Sequence, residues 1–86
     1  MSENKSVFLI KKYGKINVKL KQFLDNRNIK RGNLASSVNA NFEVINKWYN
    51  NDVERLDLDV LARICYVLNC KVEDIIEYAE YSEEDS

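Results

Sequence analysis

Four short segments in the middle of the chain place apolar residues at intervals of three and four, and an asparagine follows each segment. This spacing puts the apolar side chains on one face of an α-helix. Asparagine favours turns, so it marks the point where each apolar pattern stops. The four apolar sets are Leu20, Phe23 and Leu24; Leu34, Ala35 and Val38; Ile45, Trp48 and Tyr49; and Val60, Leu61, Ile64, Cys65 and Leu68.

The pattern predicts five helices, over about residues 18–27, 31–38, 42–49, 57–69 and 72–79. The third helix begins after Asn41, whose side-chain oxygen can accept a hydrogen bond from an amide of the first turn. The fourth helix has Asp57 or Asp59 at its start, where a carboxylate favours the positive end of the helix dipole. The fifth helix is expected to bury Ile75 and Ile76.

The two ends of the chain differ from this helical middle. Apolar residues alternate in places between Val7 and Val18, which allows one or two short strands in or beside an N-terminal arm over residues 1–15. Residues 80–86 hold four acidic residues and two serines, which predicts a disordered acidic tail. We therefore expect one all-α domain of five helices over residues 16–79, to which the arm can add a short β element.

Composition excludes several classes of protein. The chain has no histidine, no proline and only two glycines, so it lacks the common imidazole base, the common metal ligand and a glycine-rich phosphate loop. The longest apolar run is Val7 to Ile10, far short of the roughly 20 residues that cross a bilayer. We expect a cytoplasmic protein that is not an enzyme and needs no cofactor, metal or small-molecule ligand.

The net charge of -1 hides an uneven distribution. Residues 1–47 hold ten basic and three acidic residues, whereas residues 48–86 hold three basic and eleven acidic residues. This asymmetry suits a basic surface that binds a polyanion such as nucleic acid. Solvated helix faces with no such partner explain the charges equally well, so both interpretations stay open at this point.

Residues 31–48 read RGNLASSVNANFEVINKW. A Leu-Ala pair is followed four positions later by a turn residue, and six positions further by an apolar residue. The run resembles the helix-turn-helix of the phage-repressor and Cro-like (Xre-type) DNA-binding family, and the resemblance extends over about residues 16–78. Ala35 is small because a second helix is expected to cross close above it, where a larger side chain would push the two helices apart. Asn39 stands where the family usually has glycine, because the chain reverses there through a left-handed turn.

The resemblance implies that helix 42–49 lies in the major groove of double-stranded DNA and that helix 31–38 crosses the phosphate backbone. Asn46 would pair with adenine, Lys47 would bond guanine or a phosphate, and Phe42 would pack on a thymine methyl group. The DNA-binding residues implied in this way are Arg31, Asn41, Phe42, Glu43, Asn46, Lys47 and Asn50.

Some of these positions match the family and others depart from it. Arg31 takes a position, usually glutamine, that braces the contact with the DNA backbone, and Asn41 and Asn50 imply phosphate contacts at the two ends of the reading helix. The position of Phe42 is frequently glutamine in the family. Glu43 brings a negative charge to the reading helix, where it suits mainly the amino group of a cytosine.

Two functions follow from these observations. The first is a sequence-specific transcriptional regulator, a repressor that binds a pseudo-palindromic DNA site as a homodimer. The second is a protein-interaction module of the same fold, an antitoxin or anti-regulator, that no longer reads DNA and uses Phe42, Trp48 or the acidic C-terminal helices. The apolar residues 7–10 and the last helix are the candidate dimer surfaces.

Overall fold

In a computed structural model, residues 13–81 are described, and they form five helices and one two-stranded sheet. The elements in chain order are β1 (Lys15–Val18), α1 (Leu20–Arg27), α2 (Arg31–Val38), α3 (Phe42–Tyr49), α4 (Leu58–Leu68), α5 (Val72–Ile75) and β2 (Ile76–Ala79). The bounds of α2 and α3 confirm the sequence prediction, and those of α1 and α4 differ from it by one or two residues. Most of the predicted arm and acidic tail lies outside the described residues. No described helix is long and apolar enough to span a membrane.

The same turn follows each of the helices α1 to α4. Positive φ angles of 53° to 58° occur in the described residues at Asn28, Asn39, Asn51 and Asn69. After each asparagine, the next amide donates to a carbonyl five residues back, as Ala40 does to Ala35 at 3.0 Å. These bonds satisfy carbonyl groups that a helix end would leave unpaired. The left-handed turn predicted at Asn39 is therefore confirmed.

The fifth helix is shorter than the sequence predicts. It ends at Ile75, and the next four residues form β2, which pairs antiparallel with β1 and sets Tyr78 opposite Ile16. The prediction of a helix over residues 72–79 is therefore wrong beyond Ile75. The reason is that Ile76 and Tyr78 follow a period of two, and β1 supplies a pairing partner that the local sequence does not reveal. The short strand that the N-terminal alternation allowed is confirmed as β1.

The two strands approach each other closely beside Gly14, just before β1. A Cβ atom at Gly14 would lie 1.6 Å from the carbonyl oxygen of Ala79. The amide of Gly14 also donates a hydrogen bond to the hydroxyl oxygen of Tyr78 at 2.9 Å. Only glycine fits this approach, because any other residue would place its side chain on the opposite backbone.

One apolar core joins all the helices to the sheet. It contains Val18, Leu20, Leu24, Leu34, Ala35, Val38, Ile45, Trp48, Val60, Leu61, Ile64, Leu68 and Ile75. No polar or charged side chain of the described residues is buried with them. The core holds α2 and α3 in a fixed relation, and this relation decides which side of α3 faces solvent.

Candidate nucleic-acid interface

Helix α3 has one buried and one open side. Ile45 and Trp48 are 0% and 3% exposed, whereas Phe42 at the start of the helix is 50% exposed. We call the open side the outer face of α3, and it carries Phe42, Glu43, Asn46 and Lys47, while Asn50 follows directly after the helix. Four of the seven residues that the sequence implied for DNA binding therefore share one helix face.

Arg31, at the start of α2, reaches across to the outer face of α3. Its guanidinium donates a hydrogen bond from Nη1 to Oδ1 of Asn46 at 2.5 Å. The guanidinium carbon lies 4.4 Å from the ring centre of Tyr49 and 5.8 Å from that of Phe42. An arginine held over aromatic rings keeps its remaining N–H groups for further acceptors. Arg31, Phe42 and Asn46 thus form one cluster, which we call the Arg31 cluster.

Tyr49 connects the Arg31 cluster to helix α1. Its hydroxyl donates to a carboxylate oxygen of Asp25 at 2.9 Å, and the ammonium group of Lys21 donates to the other oxygen at 3.1 Å. These two hydrogen bonds lower the pKa of Asp25 below its ordinary value, and the bond from Tyr49 is the larger cause. The bonds to Asp25 and Tyr49 raise the pKa of Lys21 in turn. Lys21 and Asp25 therefore remain an ion pair at neutral pH.

Sequence reasoning did not assign Lys21, Asp25 or Tyr49 to the site. Lys21 and Asp25 have the four-residue spacing of an ion pair along a helix, which is a detectable signal. The bond between Asp25 and Tyr49 joins residues 24 positions apart, and no local pattern predicts it. The sequence places Tyr49 on the apolar face with Ile45 and Trp48, but Tyr49 is half-buried and its ring lies under Arg31.

Asn41 starts α3 as predicted, but its side chain does not make the predicted cap. No hydrogen bond joins its side chain to the first turn within the described residues, and only its backbone carbonyl accepts, from Val44 and Ile45. Asp57 shows the contrast, because its carboxylate accepts from two amides at the start of α4. The side chain of Asn41 is exposed and open to an external partner.

Glu43, Lys47 and Asn50 stand apart from the Arg31 cluster. All three are exposed. Lys47 lines an open groove between the helix-turn-helix and the start of α4, together with residues that include Asn41 and Arg63. The site residues implied by the sequence therefore divide into a connected group around Arg31 and a looser group along the rest of α3.

The charges of the described residues are divided by position in the fold. From α1 to α3, over residues 20–49, five residues are basic and two are acidic. Over residues 50–81, three are basic and eight are acidic. One of the two acids in the first group, Asp25, is paired with Lys21. The helix-turn-helix side therefore carries the positive charge that attracts phosphate groups.

The model of the Cro/C1-type helix-turn-helix DNA-binding domain matches residues 19–80. This chain belongs to the Cro/C1-type helix-turn-helix family. The match runs from the end of β1 to just beyond β2, so the Cro/C1-type domain includes nearly every described element. Its helix-turn-helix is the α2–α3 pair that carries the Arg31 cluster.

Solved structures agree with a Cro/C1-type fold. The transcriptional regulator VanUg is 31% identical, with a TM-score of 0.66 over 92% of this chain and 99% of that chain. A candidate DNA-binding protein from Bacteroides fragilis is 21% identical, with a TM-score of 0.65 over 73% of this chain and 100% of that chain. The second likeness shows the fold alone. Among curated proteins, no sequence matches this Cro/C1-type chain significantly.

Proposed function

We propose that this Cro/C1-type protein is a sequence-specific transcriptional regulator, a repressor that reads double-stranded DNA with the outer face of α3. One observation carries the proposal: hydrogen-bond donors from Arg31, Asn46 and Lys47 lie on or beside an open helix face. The buried Ile45 and Trp48 hold that face in place. A rigid helix with donors on its open side is what base recognition in the major groove requires.

The distribution of charge supports contact with the DNA backbone. Lys30 and Arg31 start α2, the helix that crosses the backbone in helix-turn-helix complexes, and Asn41 and Asn50 flank α3. Contacts of this kind position a protein on any duplex, whereas base contacts select a sequence. We assign Arg31, Asn41 and Asn50 to positioning, and Phe42, Glu43, Asn46 and Lys47 to base recognition.

Dimerisation and location belong to the same proposal. Two copies bound one helical turn apart would read the two halves of a pseudo-palindromic site. We expect a cytoplasmic homodimer that needs no cofactor. Light scattering of the purified chain, alone and with a two-half-site duplex, measures the stoichiometry, and one copy per two-half-site duplex would contradict the dimer.

Selection from randomised duplex DNA tests the proposal. The full chain should enrich one sequence, and Asn46→Ala should weaken binding to that sequence by about 1 to 3 kcal/mol with little effect on random DNA. Asn26→Ala is the matched control, because Asn26 is exposed in α1 and its side chain makes no hydrogen bond or ion pair with the described residues. A reporter gene under the enriched site then distinguishes repression from activation. Failure to enrich any duplex at low salt would contradict the proposal.

One observation favours a second function, a protein-interaction module such as an antitoxin or anti-regulator. Phe42 is 50% exposed beside the charged Glu43, and exposed aromatic residues are common in protein interfaces. Under this alternative, the chain binds no duplex at low salt but retains a protein partner, and Phe42→Ser loses that partner. Under the DNA-binding proposal, Phe42→Ser changes the preference at one base pair.

A further inference from the structure

The hydrogen bond between Arg31 and Asn46 fixes the orientation of the Asn46 carboxamide. A guanidinium only donates hydrogen bonds, so the group that faces it must be the oxygen of Asn46 and not the nitrogen. The observed bond joins Arg31 Nη1 to Asn46 Oδ1 at 2.5 Å. No group of the described residues accepts a hydrogen bond from Asn46 Nδ2. Asn46 therefore offers two unused N–H donors, while Arg31 already holds one of the two lone pairs of its oxygen.

The position of Arg31 is itself supported. Its guanidinium stacks on the ring of Tyr49 at 4.4 Å, and the Tyr49 hydroxyl is bound to Asp25 at 2.9 Å. Lys21 holds the other oxygen of Asp25. A side chain that is supported by packing and by a second layer of hydrogen bonds keeps its geometry when a ligand arrives.

The bases of DNA respond differently to this arrangement. Adenine offers an acceptor, N7, and a donor, the N6 amino group, so it suits an asparagine with a free oxygen. Guanine offers two acceptors, N7 and O6. With Arg31 at the oxygen of Asn46, an adenine amino group would approach beside the N–H groups of the guanidinium, donor against donor. A guanine O6 would instead meet an N–H group of Arg31 while N7 accepts from Asn46.

We infer that Arg31 and Asn46 act as one donor unit that reads guanine, in place of the adenine that a free Asn46 would read. The inference rests on the proposed function, because it concerns base choice within the same site. It makes Arg31 a specificity residue as well as a contact to the backbone, and it makes Tyr49 a positioning residue that keeps Arg31 at Asn46.

Selection from randomised duplex DNA with three variants of the full chain tests the inference. Asn46→Ala identifies the base pair in question, since the preference there should weaken when N7 loses its donor. The wild-type chain should prefer guanine at that position about tenfold over adenine. Arg31→Met keeps a long side chain but frees the Asn46 oxygen, so the preference should shift to adenine. Lys30→Met is the matched control, because it removes the same charge one residue away and should leave the guanine preference intact.

Circular dichroism and thermal melting establish that each variant is folded. If Arg31→Met does not fold, Arg31→Lys gives the same readout, because lysine keeps the charge but cannot stack and bond as a planar fork. It should retain the salt dependence of binding and reduce the guanine preference. An adenine in the wild-type site, or an unchanged guanine preference in the folded Arg31 variant, overturns the inference alone. Failure to enrich any duplex overturns the proposed function and the inference together.

Discussion

The side-chain oxygen of Asn51 accepts a hydrogen bond from the backbone amide of Val18 at 2.7 Å. Its side-chain nitrogen donates to Oδ1 of Asn17 at 3.2 Å. Asn51 also has a φ of 58° and forms the turn after α3. Asn51 thus forms the turn that follows α3 and bonds the end of α3 to strand β1.

The two roles of Asn51 can be separated by comparing it with Asn39. Glycine adopts both turns without strain, so Asn39→Gly should be neutral or slightly stabilising. Asn51→Gly loses the bond to Val18 and should lower the free energy of unfolding by about 1 kcal/mol. Urea unfolding monitored by Trp48 fluorescence measures both. Equal stability of the two variants would contradict a structural role for the Asn51 side chain.

The left-handed turn at Asn39 also predicts the effect of a β-branched residue. Asn39→Val should cost about 1 to 2 kcal/mol, because its Cβ branches clash in this conformation. Asn33→Val is the control, since Asn33 is exposed in the helical backbone of α2 and valine has a similar helix propensity to asparagine. If both variants melt at the same temperature, the strain assigned to position 39 is absent.

The two glycines should respond in opposite ways to alanine. Gly14→Ala places a Cβ 1.6 Å from the Ala79 oxygen, so the strands must separate, at a cost of about 1 to 3 kcal/mol. Around Gly32 in α2, no atom beyond its chain neighbours and the nearby backbone of the same helix lies within 4 Å of the added Cβ. Gly32→Ala should therefore stabilise the helix by about 0.5 to 1 kcal/mol. Calorimetry on the pair measures this, and a stabilising Gly14→Ala would disprove the close approach of the strands.

The hydrogen bond from Tyr49 predicts a measurable change at Asp25. Because this bond is the main cause that lowers the pKa of Asp25, Tyr49→Phe should raise that pKa toward its ordinary value of 3.8. A carboxylate with a lowered pKa stabilises the fold above the pKa of the unfolded chain, and the contribution is lost as pH falls through the folded pKa. Tyr49→Phe should therefore make the free energy of unfolding depend less on pH in the acidic range. Carboxyl carbon NMR titration measures the shift, and Tyr66→Phe, on the exposed side of α4, should leave Asp25 unchanged.

Burial of Cys70 predicts a pH dependence at the alkaline end. Desolvation is the main cause that raises the pKa of Cys70 from 9.0 to about 11, and the neighbouring Cys65 is the second. The folded chain then binds more protons than the unfolded chain between these values, so stability falls as pH rises from 9 to 11. Alkylation of Cys70, followed by mass spectrometry, should stay slow at pH 9 and accelerate toward pH 11. Cys70→Ala should remove its part of the alkaline loss of stability, and rapid alkylation at pH 9 would contradict the raised pKa.

The helices were predictable from sequence where local signals agree. α2 and α3 have an apolar period and an asparagine at or after their ends, and the structure confirms both bounds. α5 was predicted too long, because Ile75 and Ile76 fit a helix and a strand equally well. The strand is stabilised by pairing with β1, about 60 residues away in sequence. Only the tertiary structure supplies that partner.

The candidate site was predictable as a set of residues but not as an arrangement. The sequence singled out Arg31, Phe42 and Asn46 one by one through a family resemblance. Their contacts depend on how α2 crosses α3, which the helical period does not specify. The supporting pair of Asp25 and Tyr49 depends on the packing of α1 against α3 as well. Under the inference above, these contacts change the base that Asn46 would read, whereas residue type alone suggested adenine.

The antiparallel pairing of β1 with β2 means that the chain enters and leaves the described domain side by side. A segment attached before β1 would therefore begin beside a segment attached after β2. A short peptide could join residues 13 and 81, since paired strands lie only about 5 Å apart. New ends could then open in the exposed loop between α3 and α4, giving a circularly permuted protein with an unbroken helix-turn-helix.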